Sequence, residues 1–244
     1  MTIKIGVCGS SGKMGKTIIE RISLGNYLVS GKFNSSNQIE DLAIFCQNSE
    51  VIIDFSNSEI LENLLYYATI NKNKLVIGTT GLTEKQLSCI REASKEIAIL
   101  YSANMSLGAN LIASLAVTAA NSLGNGFDIE ILEAHHRKKK DSPSGTAIML
   151  GQTIAAAKNQ QFDKCVVYNR YPNSLRQTNE IGITSIRGGQ VYGEHEIFFL
   201  GDNEVITIKH QALNREIFAD GAIKAAQWLS TKNNGLYSMK DVLK

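Results

Sequence analysis

The chain has 244 residues, of which 43% are hydrophobic and 20% are charged, as is typical of a globular protein with one large domain or two small ones. Its formal net charge of +2 gives no general attraction to nucleic acid or to an anionic membrane, so only a local cluster of charge could bind such a partner. The four cysteines lie far apart without a Cys-x-x-Cys pair, which argues against a zinc site or a disulfide framework.

The first hundred residues alternate short apolar strands with helices. Apolar, β-branched runs predict the strands, and apolar residues at helical spacing predict the helices between them. The predicted strands are 3–8, 27–33, 51–56, 74–80 and 97–103, and the predicted helices are 13–24, 59–70 and 84–96. This alternation implies parallel β-α-β units, and continuous apolar strands are expected where both faces of a sheet are covered.

The pattern changes near residue 106. A long apolar helix is predicted there, rich in glycine and alanine. The predicted elements from this point are a helix at 106–124, a strand at 127–136, a helix at 144–158, a hairpin over 195–211 and a helix at 218–229. This mixture is typical of an α+β domain, so we expect two domains of different architecture.

The N-terminal sequence lacks the basic stretch and long apolar core of a secretory signal. No apolar run approaches the about 18 residues needed to span a bilayer. We therefore expect a cytoplasmic protein with reduced cysteines and no membrane partner.

The segment GSSGKMG, Gly9–Gly15, lies between the first strand and the first helix. Glycines let a chain approach a nucleotide pyrophosphate closely, and a helix N-terminus offers unpaired N–H groups to it. The spacing is Gly-x-x-Gly-x-x-Gly, which departs from the dinucleotide fingerprint Gly-x-Gly-x-x-Gly. The motif alone therefore leaves two interpretations open, a nucleotide site and a simple tight turn.

The end of the second predicted strand bears on the choice of nucleotide. An acidic residue is usual there because it binds the ribose hydroxyls, but this chain has Asn34 and no acid before Glu40. Asparagine does not repel a 2′-phosphate, and Lys32, Ser35 and Ser36 could accept one. The sequence leaves NAD against NADP open and favours tolerance of both.

Two further turns are expected at the same edge of the sheet. GTTG at 78–81 follows the fourth strand, and SANMS at 102–106 follows the fifth. Because the carboxyl ends of parallel strands line the ligand crevice, these small residues could face a nicotinamide ring. Each is also compatible with an ordinary turn.

The segment EAHHRKKKDSPSGTA, 133–147, concentrates positive charge in a nearly neutral protein. Four successive cations, 137–140, cannot all be buried together, so we expect at least two to be solvated. Asp141 could brace the loop or pair with one of them. A histidine pair without a third ligand does not predict a metal site. His195 and His210, in the predicted hairpin, are interpreted as structural.

The end of this segment, Ser144-Gly145-Thr146, begins the next predicted helix. Hydroxyls and unpaired N–H groups at a helix start suit a carboxylate or a phosphate, although Ser144 could also be a simple N-cap. Histidine, lysine and this helix start fall within twelve residues. The combination predicts a pocket for an anionic substrate with a proton donor beside it.

The same residues resemble the 4-hydroxy-tetrahydrodipicolinate reductase (dihydrodipicolinate reductase) family of diaminopimelate and lysine biosynthesis. The segment 133–147 is similar to the family signature Glu-x-His-His-x-x-Lys-x-Asp-x-Pro-Ser-Gly-Thr-Ala, and Gly9–Gly15 is similar to its nucleotide loop. The resemblance extends over nearly the whole chain. It implies a Rossmann-type parallel-sheet domain of residues 1–106 plus 216–244, and an α+β domain of residues 107–215 for substrate binding and tetramerisation.

The resemblance also implies an activity, which is reduction of a cyclic dicarboxylate by NADH or NADPH in a homotetramer. It assigns acid/base or electrostatic help to His135 and proton donation to Lys139. The residues implied for substrate binding are His136, Lys139, Ser144, Gly145 and Thr146. Those implied for the cofactor are Gly9, Ser10, Ser11, Gly12, Lys13, Met14, Gly78, Thr79, Thr80, Ser102, Ala103, Asn104 and Met105, with Asn34 at the ribose position.

Two features depart from the family pattern. Asn34 stands where an acid is common, and the segment 35–47 is short, which predicts a reduced helix or loop there. Neither falls in the 133–147 segment.

Three other functions are alternatives to this activity. The first is a Rossmann reductase acting on another small anionic substrate. The second is a nucleic-acid contact through residues 137–140, which the 7% aromatic content and the absence of a wider basic face disfavour. The third is a nucleotide sensor without chemistry, against which the presence of both His135 and Lys139 argues.

Overall fold

The computed structural model describes residues 2–170 and 172–244. The chain divides into two compact units. Unit 1 contains the residues up to Leu107 together with Arg215–Lys244, and unit 2 contains Gly108–Asn214. The domain limits predicted at residues 106 and 216 each differ from these by one residue.

The elements in chain order are as follows. The strands are β1 (Lys4–Cys8), β2 (Leu28–Phe33), β3 (Val51–Asp54), β4 (Lys74–Ile77), β5 (Ala98–Tyr101), β6 (Asp128–His135), β7 (Val166–Tyr168), β8 (Ile181–Arg187), β9 (Gly193–Leu200), β10 (Val205–Ala212) and β11 (Gly235–Tyr237). The helices are α1 (Lys13–Ser23), α2 (Asp41–Gln47), α3 (Leu61–Asn71), α4 (Glu84–Ala93), α5 (Leu107–Leu123), α6 (Gly145–Ala157), α7 (Phe162–Cys165), α8 (Glu216–Leu229) and α9 (Met239–Val242), with a 3₁₀ turn at Ser58–Ile60.

Unit 1 is built on a parallel sheet in the order β11-β5-β4-β3-β1-β2. Neighbouring residues of one strand enter different cores: Ile53 packs with α1 and α8 residues, and Ile52 packs with α2 and α3 residues. This is why the strands read as continuous apolar runs. The parallel sheet confirms the predicted Rossmann-type α/β architecture.

Three predicted strands end earlier in the structure than in the prediction. β3 ends at Asp54, β4 at Ile77 and β5 at Tyr101, and the residues that follow form turns at the carboxyl edge of the sheet. The short segment between β2 and β3 carries α2, a helix of seven residues. The outer strand β11 has only three residues and was not predicted.

Unit 2 is a mixed sheet in the order β10-β9-β6-β8-β7. Its central strand β6 runs antiparallel to β9 and parallel to β8. Strand residues such as Ile131 and Phe199 form one core with Ala116 of α5 and Leu150 of α6. The predicted hairpin is confirmed as β9 and β10, whereas β7 and β8 were not predicted.

Among the residues that the structure describes, no helix combines the length and the apolar character required to cross a bilayer.

Candidate active site

The glycine loop joins β1 to α1 in unit 1. Gly9 has a φ of +81°, in the region that favours glycine, and the N–H groups of Gly9 and Ser10 donate to the carbonyl of Phe33, at 2.8 and 3.0 Å. Gly12 is the N-cap of α1, and no side chain caps that helix start. The first N–H groups of α1 are therefore available to an anion.

The turn of this loop packs closely against the start of α1. A Cβ atom at Gly15 would lie 2.2 Å from the carbonyl oxygen of Gly9, so only glycine lets α1 approach the turn in this way. Ser10 is buried, and Met14 packs against the core, so both would contact a ligand mainly through main-chain atoms. Ser11 and Lys13 are exposed. These residues fit a pyrophosphate group.

Asn34 follows β2 beside this loop. Its side-chain amide donates to the hydroxyl of Ser10 at 3.3 Å, and its carbonyl oxygen accepts from the N–H and the hydroxyl of Ser36. The structure thus places Asn34 next to the predicted pyrophosphate loop. Lys32 and Ser35 are exposed nearby along the chain.

The turn after β4 is held by a buried carboxylate that was not predicted. Asp54, at the end of β3, is 0% exposed, and its oxygens accept from the hydroxyl of Thr79 at 2.7 Å and from the N–H and hydroxyl of Ser56. Burial raises the pKa of Asp54, and these hydrogen bonds only partly oppose the shift. Asp54 therefore joins the turns after β3 and β4, including the predicted cofactor residues Gly78 and Thr80 that flank Thr79.

The turn after β5 carries the remaining predicted cofactor residues, Ser102–Met105. The N–H of Ser102 donates to the carbonyl of Ile77, and its hydroxyl donates to the carbonyl of Asn104 at 2.8 Å. The side chain of Met105 belongs to the core. Met105 could therefore face a cofactor only through its backbone, whereas Ala103 is exposed.

In unit 2 a second buried carboxylate, Glu133 on β6, forms the centre of the candidate substrate site. It is 0% exposed and accepts hydrogen bonds from His135 Nδ1 at 2.6 Å and from the backbone N–H of Ser144 at 3.0 Å. Ser185 Oγ donates to it at 2.7 Å, and both terminal nitrogens of Arg187 donate at 2.7 and 2.8 Å. The predicted site residues did not include Glu133, Ser185 or Arg187.

Burial alone would raise the pKa of Glu133. The hydrogen bonds from His135, Arg187, Ser185 and Ser144 outweigh that effect and hold the pKa of this carboxyl well below its usual range. Glu133 is therefore ionised at neutral pH, although no part of it reaches solvent.

The strand register explains how distant residues reach Glu133. Ser185 on β8 and His195 on β9 are its direct neighbours across the sheet. His195 Nε2 lies 3.0 Å from the hydroxyl of Ser144, and its ring packs edge-to-face on His135 with 5.3 Å between centroids. Burial, and next the nearby His135, lower the pKa of His195 to about 3, so this ring is neutral.

His195 was interpreted as structural because nothing near it in the sequence suggested a partner. Only the pairing of β6 with β9 brings it to the site. His210 on β10 is the direct neighbour of His195 across the strand pair, and its ring packs against Gly108.

The four cations after β6 differ in their surroundings. Arg137, Lys138 and Lys140 are exposed, whereas the side chain of Lys139 is only 21% exposed and its Nζ binds Asp141 at 2.9 Å. The hydrogen bond from Lys139 lowers the pKa of Asp141. The structure thus separates Lys139 from the other three, which agrees with the expectation that at least two of the four cations are solvated.

The start of α6 follows this loop. Ser144 is the N-cap: it is 2% exposed, and its hydroxyl accepts from the N–H of Ala147 at 3.2 Å. Gly145 is exposed, and Thr146 is half-buried. His136, the remaining predicted substrate residue, is half-buried just beyond β6, and its carbonyl accepts from the N–H of Lys139. A helix N-terminus and a lysine thus lie on one short segment, which suits carboxylates.

No group of three or more His, Cys, Asp and Glu side chains that could hold a metal ion occurs within residues 2–170 and 172–244.

Two family models match this chain, and together they cover nearly all of it. The family model for the dihydrodipicolinate reductase N-terminus matches residues 3–105, and that for its C-terminus matches residues 108–243. A 4-hydroxy-tetrahydrodipicolinate reductase from Rickettsia bellii is 56% identical over 100% of this chain and 96% of its own. One from Zymomonas mobilis is 42% identical, over 99% of this chain and 97% of its own.

Solved structures show the same fold. A dipicolinate-bound dihydrodipicolinate reductase from Paenisporosarcina sp. TG-14 superposes with a TM-score of 0.79, at 23% identity, over 98% of both chains. A scyllo-inositol dehydrogenase from Lactobacillus casei, with bound NAD(H), has a TM-score of 0.62 at 12% identity, over 100% of this chain and 93% of its own. With both halves of the chain matched and sequence identity above one half, this oxidoreductase belongs to the dihydrodipicolinate reductase family.

Proposed function

We propose that this chain reduces 4-hydroxy-tetrahydrodipicolinate to tetrahydrodipicolinate with NADH or NADPH, a step of diaminopimelate and lysine biosynthesis. The observation that carries the proposal is the segment from Glu133 to Thr146. It combines a buried Glu133–His135 pair, the partly buried cation Lys139 and the start of α6. This set offers both a proton donor and a binding place for an anionic group.

The carboxylates of the substrate are bound by Lys139 and the start of α6 in this proposal. The ammonium of Lys139 attracts an anion, and the N–H groups at Gly145 and Thr146 lie at the positive end of the helix dipole. A relative's dipicolinate, a planar dicarboxylate, is the kind of ligand such a site accepts.

The reduction requires a hydride and a proton, and the 4-hydroxyl group of the substrate leaves as water. When bound at the loop Gly9–Met14, the nicotinamide cofactor supplies the hydride. Lys139 donates the proton, because its ammonium can both bind the anionic substrate and act as a general acid. His135 adds a polarisable imidazole whose Nδ1 is fixed by Glu133. General acid help of this kind is worth about 10²–10⁴-fold in rate.

We also propose that the enzyme is a cytoplasmic homotetramer whose contacts involve unit 2. The side chains of β6 and β9 that point away from α5 and α6 are only half-buried within the chain, among them Leu132 and Phe198. A second sheet could cover this face. Sedimentation equilibrium would measure the assembly, and a monomer at micromolar concentration would contradict it.

The activity is tested with purified protein and substrate generated in the cuvette by the preceding enzyme of the pathway, while NADH or NADPH oxidation is followed. We expect turnover with both cofactors and competitive inhibition by dipicolinate. A cyclic imine without carboxylates is the control, and it should not be turned over. Equal rates on both imines would contradict a dicarboxylate site and favour a reductase of another substrate.

A further inference from the structure

One buried side chain, Glu133, is linked to three parts of the proposed substrate site. We propose that Glu133 is a positioning residue that holds His135, Lys139 and the start of α6 in a single arrangement. This inference rests on the proposed function, because it concerns the same site. Glu133 does not have to touch the substrate in order to act in this way.

The first link is to His135. Glu133 Oε2 lies 2.6 Å from His135 Nδ1, and an ionised carboxylate can only accept a hydrogen bond. The proton of the imidazole is therefore on Nδ1, and Nε2 is the nitrogen presented for chemistry. A Cβ atom at Gly193 would lie 3.0 Å from Nε2, so the glycine leaves room beside this nitrogen.

The second link runs to Lys139 through two residues. The guanidinium of Arg187 binds both oxygens of Glu133, and its Nη2 also donates to the backbone carbonyl of Asp141 at 2.8 Å. The carboxylate of Asp141 in turn binds Lys139 Nζ at 2.9 Å. The position of the predicted proton donor thus depends on the guanidinium that Glu133 orients.

The third link is to α6. Glu133 Oε1 accepts from the backbone N–H of Ser144 at 3.0 Å, and Ser144 is the N-cap of the helix. This bond fixes the residue from which the helix begins. The N–H groups of Gly145 and Thr146 then have a defined direction relative to His135.

These links require a carboxylate. The N–H groups of Arg187 and the backbone N–H of Ser144 can only donate, whereas the Ser185 hydroxyl and, by a change of tautomer, the His135 ring can reverse their hydrogen bonds. Glutamine would turn an NH₂ group towards at least one of these N–H donors. The charged and titratable groups around His135 are Glu133, Arg187 of β8, His195 of β9 and, through Asp141, Lys139.

The test compares Glu133→Gln with Glu133→Asp and with a matched control, Glu130→Gln. Glu130 lies on the same strand and also binds arginines, Arg170 and Arg176, but has no contact with His135. We expect Glu133→Gln to lower kcat by about 10–100-fold, as loss of an orienting partner does for histidine ligands, with the KM for NAD(P)H unchanged. Glu133→Asp should recover part of kcat, and Glu130→Gln should retain all of it.

A second readout reports orientation without activity. Nitrogen-15 spectra of histidine-labelled protein, with His135 assigned by its loss in His135→Asn, should show the Nδ1–H form in the wild type and a mixed population in Glu133→Gln. An unchanged kcat together with an unchanged tautomer would overturn the proposal. If the wild type were inactive on the substrate, the proposed function would fail, and the tautomer change would still test the positioning role.

If Glu133→Gln does not fold, Arg187→Lys replaces it. Lysine keeps a cation beside Glu133, but its single nitrogen cannot reproduce the two-nitrogen contact with both oxygens of Glu133 together with the bond to the carbonyl of Asp141. We expect a lower kcat with the His135 tautomer retained. A fully active Arg187→Lys would overturn the link from Glu133 to Lys139.

Discussion

Each unit of this molecule contains a buried carboxylate at its candidate site, and the two differ in their partners. Asp54 in unit 1 is bonded mainly by the hydroxyls of Ser56 and Thr79, and its pKa is raised. Glu133 in unit 2 is bonded by a guanidinium and by other N–H groups, and its pKa is lowered. Burial acts in the same direction on both, so the hydrogen-bond partners decide whether the pKa of each carboxyl ends above or below its ordinary value.

The units also differ in what they offer to a ligand. In unit 1 the predicted cofactor residues mostly present backbone, because side chains such as Ser10 and Met105 are buried. In unit 2 the predicted substrate residues include charged side chains, of which Lys139 is the clearest. We therefore expect substitutions to affect catalysis more strongly in unit 2 than in unit 1.

The largest effect is expected at Lys139. Lys139→Ala should lower kcat by about 10²–10⁴-fold because it removes the proposed general acid. Lys138→Ala is the matched control and should keep kcat within about twofold of the wild-type value, since Lys138 is exposed. Steady-state rates of NAD(P)H oxidation measure both. Equal losses in the two variants would show that the loop acts only through its total charge.

The two buried carboxyl groups can be compared by replacing each with the corresponding amide. Glu133→Gln should lower the free energy of unfolding by about 3 kcal/mol, because the half-buried Arg187 loses its buried counter-ion. Asp54→Asn should cost at most about 1 kcal/mol, because its carbonyl oxygen can still accept from Ser56 and the Thr79 hydroxyl can accept from its amide where it now donates. Urea unfolding followed by circular dichroism measures both. Similar losses of stability in the two variants would mean that the type of hydrogen-bond partner does not determine the cost of replacing the carboxyl group.

The pH dependence of these variants should have opposite signs. Glu133 has a folded pKa below its ordinary 4.5, so the stability it contributes is present above pH 4.5 and is lost as pH falls through the folded pKa. The difference in free energy of unfolding between the wild type and Glu133→Gln should therefore shrink as the pH falls. Asp54 has a folded pKa above its ordinary 3.8, so the stability from its protonated form is present below pH 3.8 and is lost as pH rises through the folded pKa.

As the pH falls, the free energy of unfolding of the wild type should accordingly rise relative to that of Asp54→Asn. Urea midpoints between pH 7 and pH 3 measure both differences. If both stability differences changed in the same direction with pH, the two carboxyl groups would not have pKa values shifted in opposite directions.

The smallest effect is expected at Asn34. Asn34→Asp adds a negative charge beside the predicted ribose position, which costs about 1 kcal/mol against a 2′-phosphate near solvent. The kcat/KM for NADPH should fall several-fold more than that for NADH, and Asn34→Ala should lower the two more evenly. An equal loss for both cofactors with aspartate would show that Asn34 does not face the 2′ position.

The sequence was most informative where function lies on one continuous segment. His135, Lys139 and Ser144 fall within ten residues, and helical or strand periodicity located the elements that carry them. Arg187 and His195 were not found, because they reach Glu133 only through strand register. The short strands β7 and β11 were missed for another reason: with three residues each, they are too short to show any period.

The order of the chain has a consequence for synthesis. Unit 1 is completed by Arg215–Lys244, and α8 places Ala222, Ala226 and Leu229 against its sheet. A ribosome that has extruded residue 214 has therefore released all of unit 2, while the sheet of unit 1 still exposes the apolar face that α8 will cover. Because domains generally fold as units during translation, the part of the protein that begins first is the part that is finished last.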